Sequence, residues 1–256
     1  MGINLQNKNI LVTREERQAK EFSSQIKQFG GNPYIAPLLK VSCVVDSNHM
    51  KILESIQQYE WIFFTSANGV RCFFNMWKKC FGAQNLVHQK FAVVGIKTNE
   101  VLQKYGYEAA FIPSTYNAET MTIEFLEKYN PNRPVLLVRG KLASQTLPNE
   151  FTKVDVNYDC LLVYETLINY DSRQLLNHIL HYNHVDYITF TSPSTIDAFF
   201  ALIENIKLIE GKKIVCIGTT TKQRGIEKGL RNILVPKDFT IEGMITTISD
   251  HIDKKG

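Results

Sequence analysis

Hydroxyl groups, glycines and single cations recur at six places where a short apolar segment is followed by a helical pattern. At such junctions, backbone N–H groups, side-chain donors and the positive end of a helix dipole can bind an anion together. Serine and threonine are also favoured as helix N-caps, so each place taken alone fits a purely structural role. Their recurrence favours a site for an anionic ligand. The residues are Thr13, Arg14, Thr65, Ser66, Asn68, Gly95, Lys97, Thr98, Arg139, Gly140, Thr191, Ser192, Ser194, Gly218, Thr219, Thr220 and Thr221.

Several familiar nucleotide-binding and catalytic patterns are missing from the sequence. It contains no GxGxxG or GxxxxGKS/T phosphate-binding loop, no HExxH metal motif and no GxSxG nucleophile elbow. His178, His181 and His184 are spaced three residues apart, but only Asp186 lies near enough in sequence to complete a metal-binding set, and we expect Asp186 to open a strand. We therefore expect neither a bound nucleotide nor a bound metal.

The chain contains two similar halves. The segment FTSANGV at Phe64–Val70 returns as FTSPSTI at Phe190–Ile196, 126 residues later. Three further residue types are repeated at a distance of 123 residues, in the pairs Gly95 and Gly218, Gly106 and Gly229, and Pro113 and Pro236. A solenoid unit has about 20 to 50 residues, so the repeated unit here is a whole domain. The sequence therefore predicts two similar domains.

Short apolar runs alternate with amphipathic segments in both halves. Helical spacing of apolar residues, as from Val70 to Phe81, predicts helices between buried strands. This alternation predicts an α/β protein made of two flavodoxin-like domains with parallel sheets, in which ligands bind beyond the carboxyl ends of the strands. The predicted strands are Lys8–Thr13, Trp61–Thr65, Phe91–Val94, Val135–Val138, Tyr187–Thr191 and Ile214–Ile217.

Composition and charge narrow the range of partners. The net charge of +4 is mild and its cations are scattered, which argues against nucleic acid and suits a small anionic molecule. No apolar run approaches the roughly 20 residues of a spanning helix, so we expect no membrane contact. The start of the chain has no basic and apolar leader pattern, and the five cysteines form no CxxC pair. We expect a cytoplasmic protein whose cysteines are free thiols.

Short motifs follow one another along nearly the whole chain, from Ile10 to Ile248: ILVTRE, WIFFTSANGV, VVGIKTNEVLQKYG, VLLVRG, VYET, ITFTSPS and CIGTTT. Their order and spacing resemble those of the uroporphyrinogen-III synthase family. The chain departs from the family pattern at Glu15 and Thr219, where the family often has proline, and at Asn99 and Lys222, where it has alanine.

The resemblance implies a lyase of tetrapyrrole, porphyrin and haem biosynthesis. Its substrate is hydroxymethylbilane, which is closed to uroporphyrinogen III with inversion of ring D and loss of water, without cofactor or metal. It also implies a discontinuous domain one at 1–36 plus 169–256, a domain two at 39–162, and a two-stranded β connector with hinges at 37–38 and 163–168. The sequence agrees in one respect, because VTR near the start and VRG in mid-chain would each complete the sheet of the other half.

The resemblance also points to one catalytic residue. Tyr164, in the stretch VYET, would act as a hydrogen-bond donor to the leaving hydroxyl, and the structural alternative is a strand tyrosine that packs against the hinge. We expect a monomer with a possible transient contact to the preceding pathway enzyme. The alternative function is a two-domain small-molecule binding or sensor protein without catalysis.

Overall fold

The structure is a computed structural model that describes residues 2–45, 47–129 and 131–254. The chain divides into two compact units, unit 1 from Met1–Lys40 with Leu167–Gly256, and unit 2 from Val41–Thr166. The limits expected from the resemblance, 1–36 with 169–256 and 39–162, and the hinges 37–38 and 163–168, stay predictions. The outermost of these limits, residues 1 and 256, lie outside the described part.

Unit 1 is built around a five-stranded sheet with the order β2-β1-β8-β9-β10. This is the 2-1-3-4-5 order of a flavodoxin-like sheet, and every pairing in it is parallel. The elements of unit 1 are β1 (Asn9–Val12), α1 (Glu16–Gln28), β2 (Asn32–Ile35), α7 (Arg173–Tyr182), β8 (Tyr187–Phe190), α8 (Pro193–Leu202), β9 (Lys213–Cys216), α9 (Thr219–Glu227), β10 (Ile233–Leu234) and α10 (Ile241–Asp253).

Unit 2 has a second five-stranded sheet with the order β3-β7-β6-β4-β5. Short 3-10 helices occur at Ile56–Gln58 in this unit and at Tyr170–Ser172 and Ile206–Ile209 in unit 1. The elements of unit 2 are β3 (Leu39–Cys43), α2 (Ser47–Glu54), β4 (Trp61–Phe64), α3 (Ala67–Phe81), β5 (Lys90–Val93), α4 (Ile96–Gln103), α5 (Ala118–Lys128), β6 (Val135–Gly140), α6 (Thr146–Lys153) and β7 (Tyr158–Ile168).

The exchange of strands between the sequence halves is confirmed. Strand β1, which carries VTR at its end, pairs with β8 of the second half, whereas β6, which carries VRG, pairs with β4 of the first half. Beyond β5, Phe111 forms an isolated parallel bridge with Ala92. The order β7-β6-β4-β5-Phe111 therefore repeats the strand order of unit 1 with different chain connections. The α/β class with parallel sheets predicted from the sequence is also confirmed.

Strand β3 is the exception to parallel pairing. The Val44 N–H donates to the Val163 carbonyl at 2.9 Å, and the Asn169 N–H donates to the Leu38 carbonyl at 2.8 Å. Residue numbers rise along one strand as they fall along the other, so β3 and β7 run antiparallel. The strands predicted from apolar runs do not include β2, β3, β7 or β10. Strands β2 and β3 mix polar with apolar residues, and β10 has only two residues. Of β7, only 163–168 is expected, as part of the connector implied by the resemblance.

Both faces of each sheet are covered by helices, so the central strands are buried on both sides. In unit 2, Ile62 and Phe64 of β4 face the buried side chains of α3, whereas Trp61 and Phe63 face α5 and α6. In unit 1, Leu11 packs with α7 and α8, whereas its neighbours on β1 pack with α1 and α10. Within the described residues, no helix combines the length and the apolar character that a bilayer span requires.

The expectation that all five cysteines are free thiols is wrong for two of them. Cys43 at the end of β3 and Cys72 in α3 form a disulfide with a Cα–Cα distance of 5.3 Å. They are 29 residues apart, and the sequence has no signal that brings them together. Cys80, Cys160 and Cys216 are free.

The disulfide predicts a defined pattern of thiol labelling. Alkylation of the unfolded, non-reduced protein should label three cysteines. Reduction should lower the free energy of unfolding by about 3 to 4 kcal/mol, because it removes the cross-link that restricts the conformations of the unfolded chain. Peptide mass spectrometry and urea unfolding measure the two effects. Labelling of all five cysteines before reduction would contradict the bond.

Candidate active site

Parallel pairing brings the strand ends with candidate residues to one edge of each sheet. In unit 2 these are the ends of β4, β5 and β6, with Tyr164 inside β7 opposite the end of β6, and in unit 1 the ends of β1, β8 and β9. Helices begin directly after β4, β5, β8 and β9, so their first N–H groups lie at the same edge. This edge therefore combines helix dipoles with polar side chains, which suits anionic groups.

Tyr164 lies at this edge of unit 2 and contacts two other candidate residues. Its hydroxyl oxygen is 3.0 Å from Oγ of Ser66, which caps α3 and accepts a hydrogen bond from the Gly69 N–H at 3.0 Å. Its ring packs against Gly140, where an added Cβ would lie 2.5 Å from Cζ of the ring. Ser66 and Gly140 therefore fix the position of a half-buried phenol.

An irregularity in the sheet makes this contact possible. Arg139 of β6 is opposite Leu162 of β7, but Gly140 is opposite Tyr164, so Val163 has no partner in the register. Such a bulge redirects the side chains that follow it. It brings the tyrosine over the one position on β6 that has no side chain.

Arg139 is directed into the protein. Its side chain is 4% exposed, and its Nη2 donates to the carbonyl oxygens of Ala143 and Ser144 at 2.5 and 2.7 Å. Its Nε is buried and has no hydrogen-bond partner among the described residues. In this structure Arg139 holds the loop after β6, rather than presenting a guanidinium at the edge.

Helices α4 and α9 begin in the same way in the two units. Each starts after a glycine, Gly95 or Gly218, that offers no side chain as a cap. Thr98 and Thr221 occupy equivalent places in the first turns, and both are buried. Of the candidate residues in these turns, Lys97, Thr219 and Thr220 are exposed.

The loops after β8 and β4 are organised by capping serines. Ser192 Oγ accepts from the Thr195 N–H at 3.2 Å and lies 2.9 Å from Oγ of Ser194, which is exposed. Pro193 occupies the first turn of α8, as expected at a helix start. Half-buried candidates flank the two caps: Thr65, Asn68 and Thr191. The caps are structural, and the hydroxyl of Ser194 is open to a ligand.

Thr13 and Arg14 have different surroundings. Thr13 Oγ1 donates to the Thr189 carbonyl at 2.6 Å and is buried, so it fastens β1 to β8. Arg14 Nε donates to Oε1 of Gln18 at 2.5 Å. Burial lowers the pKa of its guanidinium, and the negative charges of Glu21 and Glu15 partly offset this by raising the pKa. Arginine remains charged at neutral pH even so. Arg14 is thus the strand-end cation available at this edge of unit 1.

A cavity of about 530 Å³ opens at the start of α9. Thr219, Thr220 and Pro193 line it, together with Arg224, whose Nη2 is 2.6 Å from Oδ1 of Asp197. Glu227 also lines the cavity, and its Oε2 lies 3.0 Å from Nη1 of Arg224, so the guanidinium is shared between two carboxylates.

The histidines highlighted by the sequence do not form a metal centre. The His178 ring lies 4.8 Å from the Tyr182 ring, and His184 Nε2 lies 3.5 Å from Asp186. No three His, Cys, Asp or Glu side chains in residues 2–45, 47–129 and 131–254 are placed to hold a metal ion together.

Sequence reasoning missed two aromatic residues at the candidate edge. Tyr116 packs against Gly95 and Phe239 packs against Gly218. Tyr116 and Phe239 are 123 residues apart, as Gly95 and Gly218 are, so the internal repeat itself indicates that the two aromatic residues are equivalent.

Comparisons with known proteins agree with this architecture. A family model described as uroporphyrinogen-III synthase HemD matches residues 20–246. The porphyrin biosynthesis protein HemD of Ruminiclostridium josui is 30% identical over 92% of this chain, which spans 47% of that protein's length. The uroporphyrinogen-III synthase of Chlorobaculum parvum is 28% identical, with coverage of 91% of this chain and 94% of that protein.

Two solved structures share the fold. The uroporphyrinogen-III synthetase of Helicobacter pylori has a TM-score of 0.63 at 16% identity, covering 93% of this chain and 96% of that one. A mutant uroporphyrinogen III synthase from Thermus thermophilus has a TM-score of 0.58 at 16% identity, covering 96% and 99%. The family-model match over residues 20–246 and the 30% identity to the Ruminiclostridium josui protein show that the chain belongs to the uroporphyrinogen-III synthase family.

Proposed function

We propose that the chain is a carbon–oxygen lyase that closes hydroxymethylbilane to uroporphyrinogen III. Family membership supports the reaction, and the position of Tyr164 between Ser66 and Gly140 is the observation that supports a site for it. The alternative of a binding or sensor protein without catalysis is not favoured by the relatives, which are named as biosynthetic enzymes.

The substrate has eight carboxylates, and the proposed site meets them with donors of two kinds. Exposed Lys97 and half-buried Arg14 supply positive charge. Ser194, Thr219 and Thr220 supply neutral donors beside helix N-termini. Neutral donors bind anions less tightly than cations do, which favours product release.

The buried candidates have a supporting role in this proposal. Thr13, Thr98, Arg139 and Thr221 are each at most a few per cent exposed. They hold the strand ends and helix starts in place, while exposed and half-buried residues of the same loops contact the carboxylates.

The first chemical step breaks a C–O bond. The hydroxyl group at the end of the linear substrate leaves as water once its oxygen receives a proton, and a pyrrole N–H supplies the balancing proton as an electrophilic azafulvene forms. We assign the proton donation or hydrogen bond to the phenol of Tyr164. The step is redox-neutral, so the mechanism requires no redox cofactor.

Ser66 orients the phenol for this role. Ser66 Oγ accepts from the Gly69 N–H, and either hydroxyl can donate in its contact with Tyr164; the proposed role uses the arrangement in which the serine donates to the tyrosine oxygen. The phenolic proton is then directed to the leaving hydroxyl, and the serine stabilises negative charge that develops on the tyrosine oxygen.

The second step decides which isomer forms. The substituted carbon of the last pyrrole attacks the azafulvene to give a spiro intermediate, which fragments and recloses with ring D inverted. The protein contributes by holding the tetrapyrrole so that this carbon, rather than the free one, meets the electrophile.

The biological setting is also part of the proposal. The enzyme works in the cytoplasm as a monomer and takes a small molecule from the preceding pathway enzyme, with which it makes at most a transient contact. Size-exclusion chromatography with light scattering tests the monomer, for which the sequence gives a mass of 29.4 kDa.

The activity itself has a direct assay. Purified protein is mixed with freshly prepared hydroxymethylbilane, the product is oxidised, and the type I and type III uroporphyrins are separated by chromatography. An excess of type III supports the proposal, because spontaneous closure gives type I. Type I alone from a folded sample overturns it.

Tyr164→Phe should lower turnover by about 100-fold, because it removes a proton donor while keeping the ring. The stability of the protein should change little. Tyr158→Phe is a matched control, because Tyr158 lies at the start of the same strand and its hydroxyl contacts Thr152. Unchanged turnover in Tyr164→Phe would remove this residue from the acid role.

Gly140→Ala should displace the Tyr164 ring, since the new methyl group would overlap Cζ. Overpacking of this kind costs about 1 to 3 kcal/mol, and turnover should fall as it does in Tyr164→Phe. In the double variant Gly140→Ala/Tyr164→Phe, the second change should cause little further loss of turnover. Additive losses would mean that Gly140 acts independently of the tyrosine.

A further inference from the structure

Two exposed aromatic rings lie at the same place in the two units. An ideal Cβ on Gly95 would be 3.0 Å from Cγ of Tyr116, and one on Gly218 would be 3.3 Å from Cδ2 of Phe239. Any side chain on either glycine would therefore push the ring away. Glycine at each position lets the ring approach the backbone slightly more closely than an ordinary Cβ contact would.

The rings are open to solvent away from the glycines. Tyr116 is 56% exposed and Phe239 is 57% exposed, so more than half of each side chain is accessible to a ligand. Each ring lies beside the first turn of a helix, α4 or α9, that carries candidate residues. Both units therefore place an accessible apolar ring next to donors for anions.

The local chain around both rings is built alike. Each aromatic residue follows a buried proline by three positions and precedes the N-cap of the next helix, Asn117 of α5 or Thr240 of α10. The intervening residues differ, ST in one loop and KD in the other. An aromatic residue is kept at both positions although its neighbours are not.

A structural explanation for the rings exists and has different consequences. A residue just before an N-cap often forms a hydrophobic staple with the fourth residue of the helix, here Met121 or Met244. A staple needs an apolar side chain but no planar ring. It also gains little from leaving more than half of the ring exposed.

We infer that Tyr116 and Phe239 are substrate-contact residues whose exposed rings stack against pyrrole rings of the linear tetrapyrrole. This inference rests on the proposed function. A linear tetrapyrrole has flat, electron-rich rings between carboxylate side chains, so it needs both anion donors and apolar planar surfaces. Aromatic rings pair in offset or edge-to-face geometry, and the neighbouring helix N-termini bind the carboxylates.

The test compares ring and non-ring side chains at both positions. Tyr116→Leu and Phe239→Leu keep an apolar cover over the glycine, whereas Tyr116→Phe and Phe239→Tyr keep the ring. Tyr182→Leu is the matched control, because Tyr182 is 79% exposed at the end of α7. The measurements are KM and kcat with hydroxymethylbilane, the dissociation constant for uroporphyrin III by fluorescence titration, and the unfolding midpoint in urea.

We expect each leucine variant to raise KM and the dissociation constant about 3- to 10-fold with an unchanged unfolding midpoint. The ring-conserving variants and Tyr182→Leu should match the wild type. Leucine variants with wild-type KM and dissociation constant would overturn the inference, as would equal losses in leucine and ring-conserving variants. Wild-type protein that forms only the type I isomer would instead overturn the proposed function, and this inference with it.

Discussion

The parallel pairing of β1 with β8 and of β6 with β4 is the constraint on which the site depends. Each pairing joins a strand from one sequence half to a strand from the other, in the centre of a five-stranded sheet. Parallel strands end at the same edge, so these pairings bring VTR beside FTSPS and VRG beside FTSANG. A strand lost from either pairing would remove both the buried core and the geometry of the edge.

Each unit has such an edge of its own, and the two edges differ. Both units begin two helices there, and both cover the glycine before one of them with an aromatic ring. Unit 2 adds the long strand β7, whose bulge opposite β6 brings Tyr164 over Gly140 and next to Ser66. The duplicated features suit binding of a repetitive, polyanionic substrate, and the added tyrosine suits the chemical step.

The fold was largely predictable because its signals are local and repeated. Buried strands are visible as apolar runs, and the two halves are recognisable from FTSANGV and FTSPSTI. Strands β2, β3 and β10 escaped prediction because they lie at sheet edges and are only partly buried. The disulfide between Cys43 and Cys72 escaped because it depends on how β3 packs beside α3.

The site was predictable as a set of loops but not as a set of contacts. Threonine can present its hydroxyl to a ligand or bond to a nearby carbonyl, and Thr13 does the second. Arg139 has the sequence context of a strand-end cation, yet its guanidinium bonds to the loop that follows. The tyrosine was found through the family resemblance, but its contact with Gly140 follows from a register shift that apolar periodicity does not reveal.

The tetrapyrrole is proposed to bind at the carboxyl ends of the strands in each unit. Hydrogen exchange of backbone amides, measured by mass spectrometry with and without saturating uroporphyrin III, tests it most directly. We expect slower exchange at residues 66–70 and 96–99 of unit 2 and at 193–197 and 219–222 of unit 1. Protection confined to the opposite ends of the strands, such as 184–187 and 211–213, would contradict it.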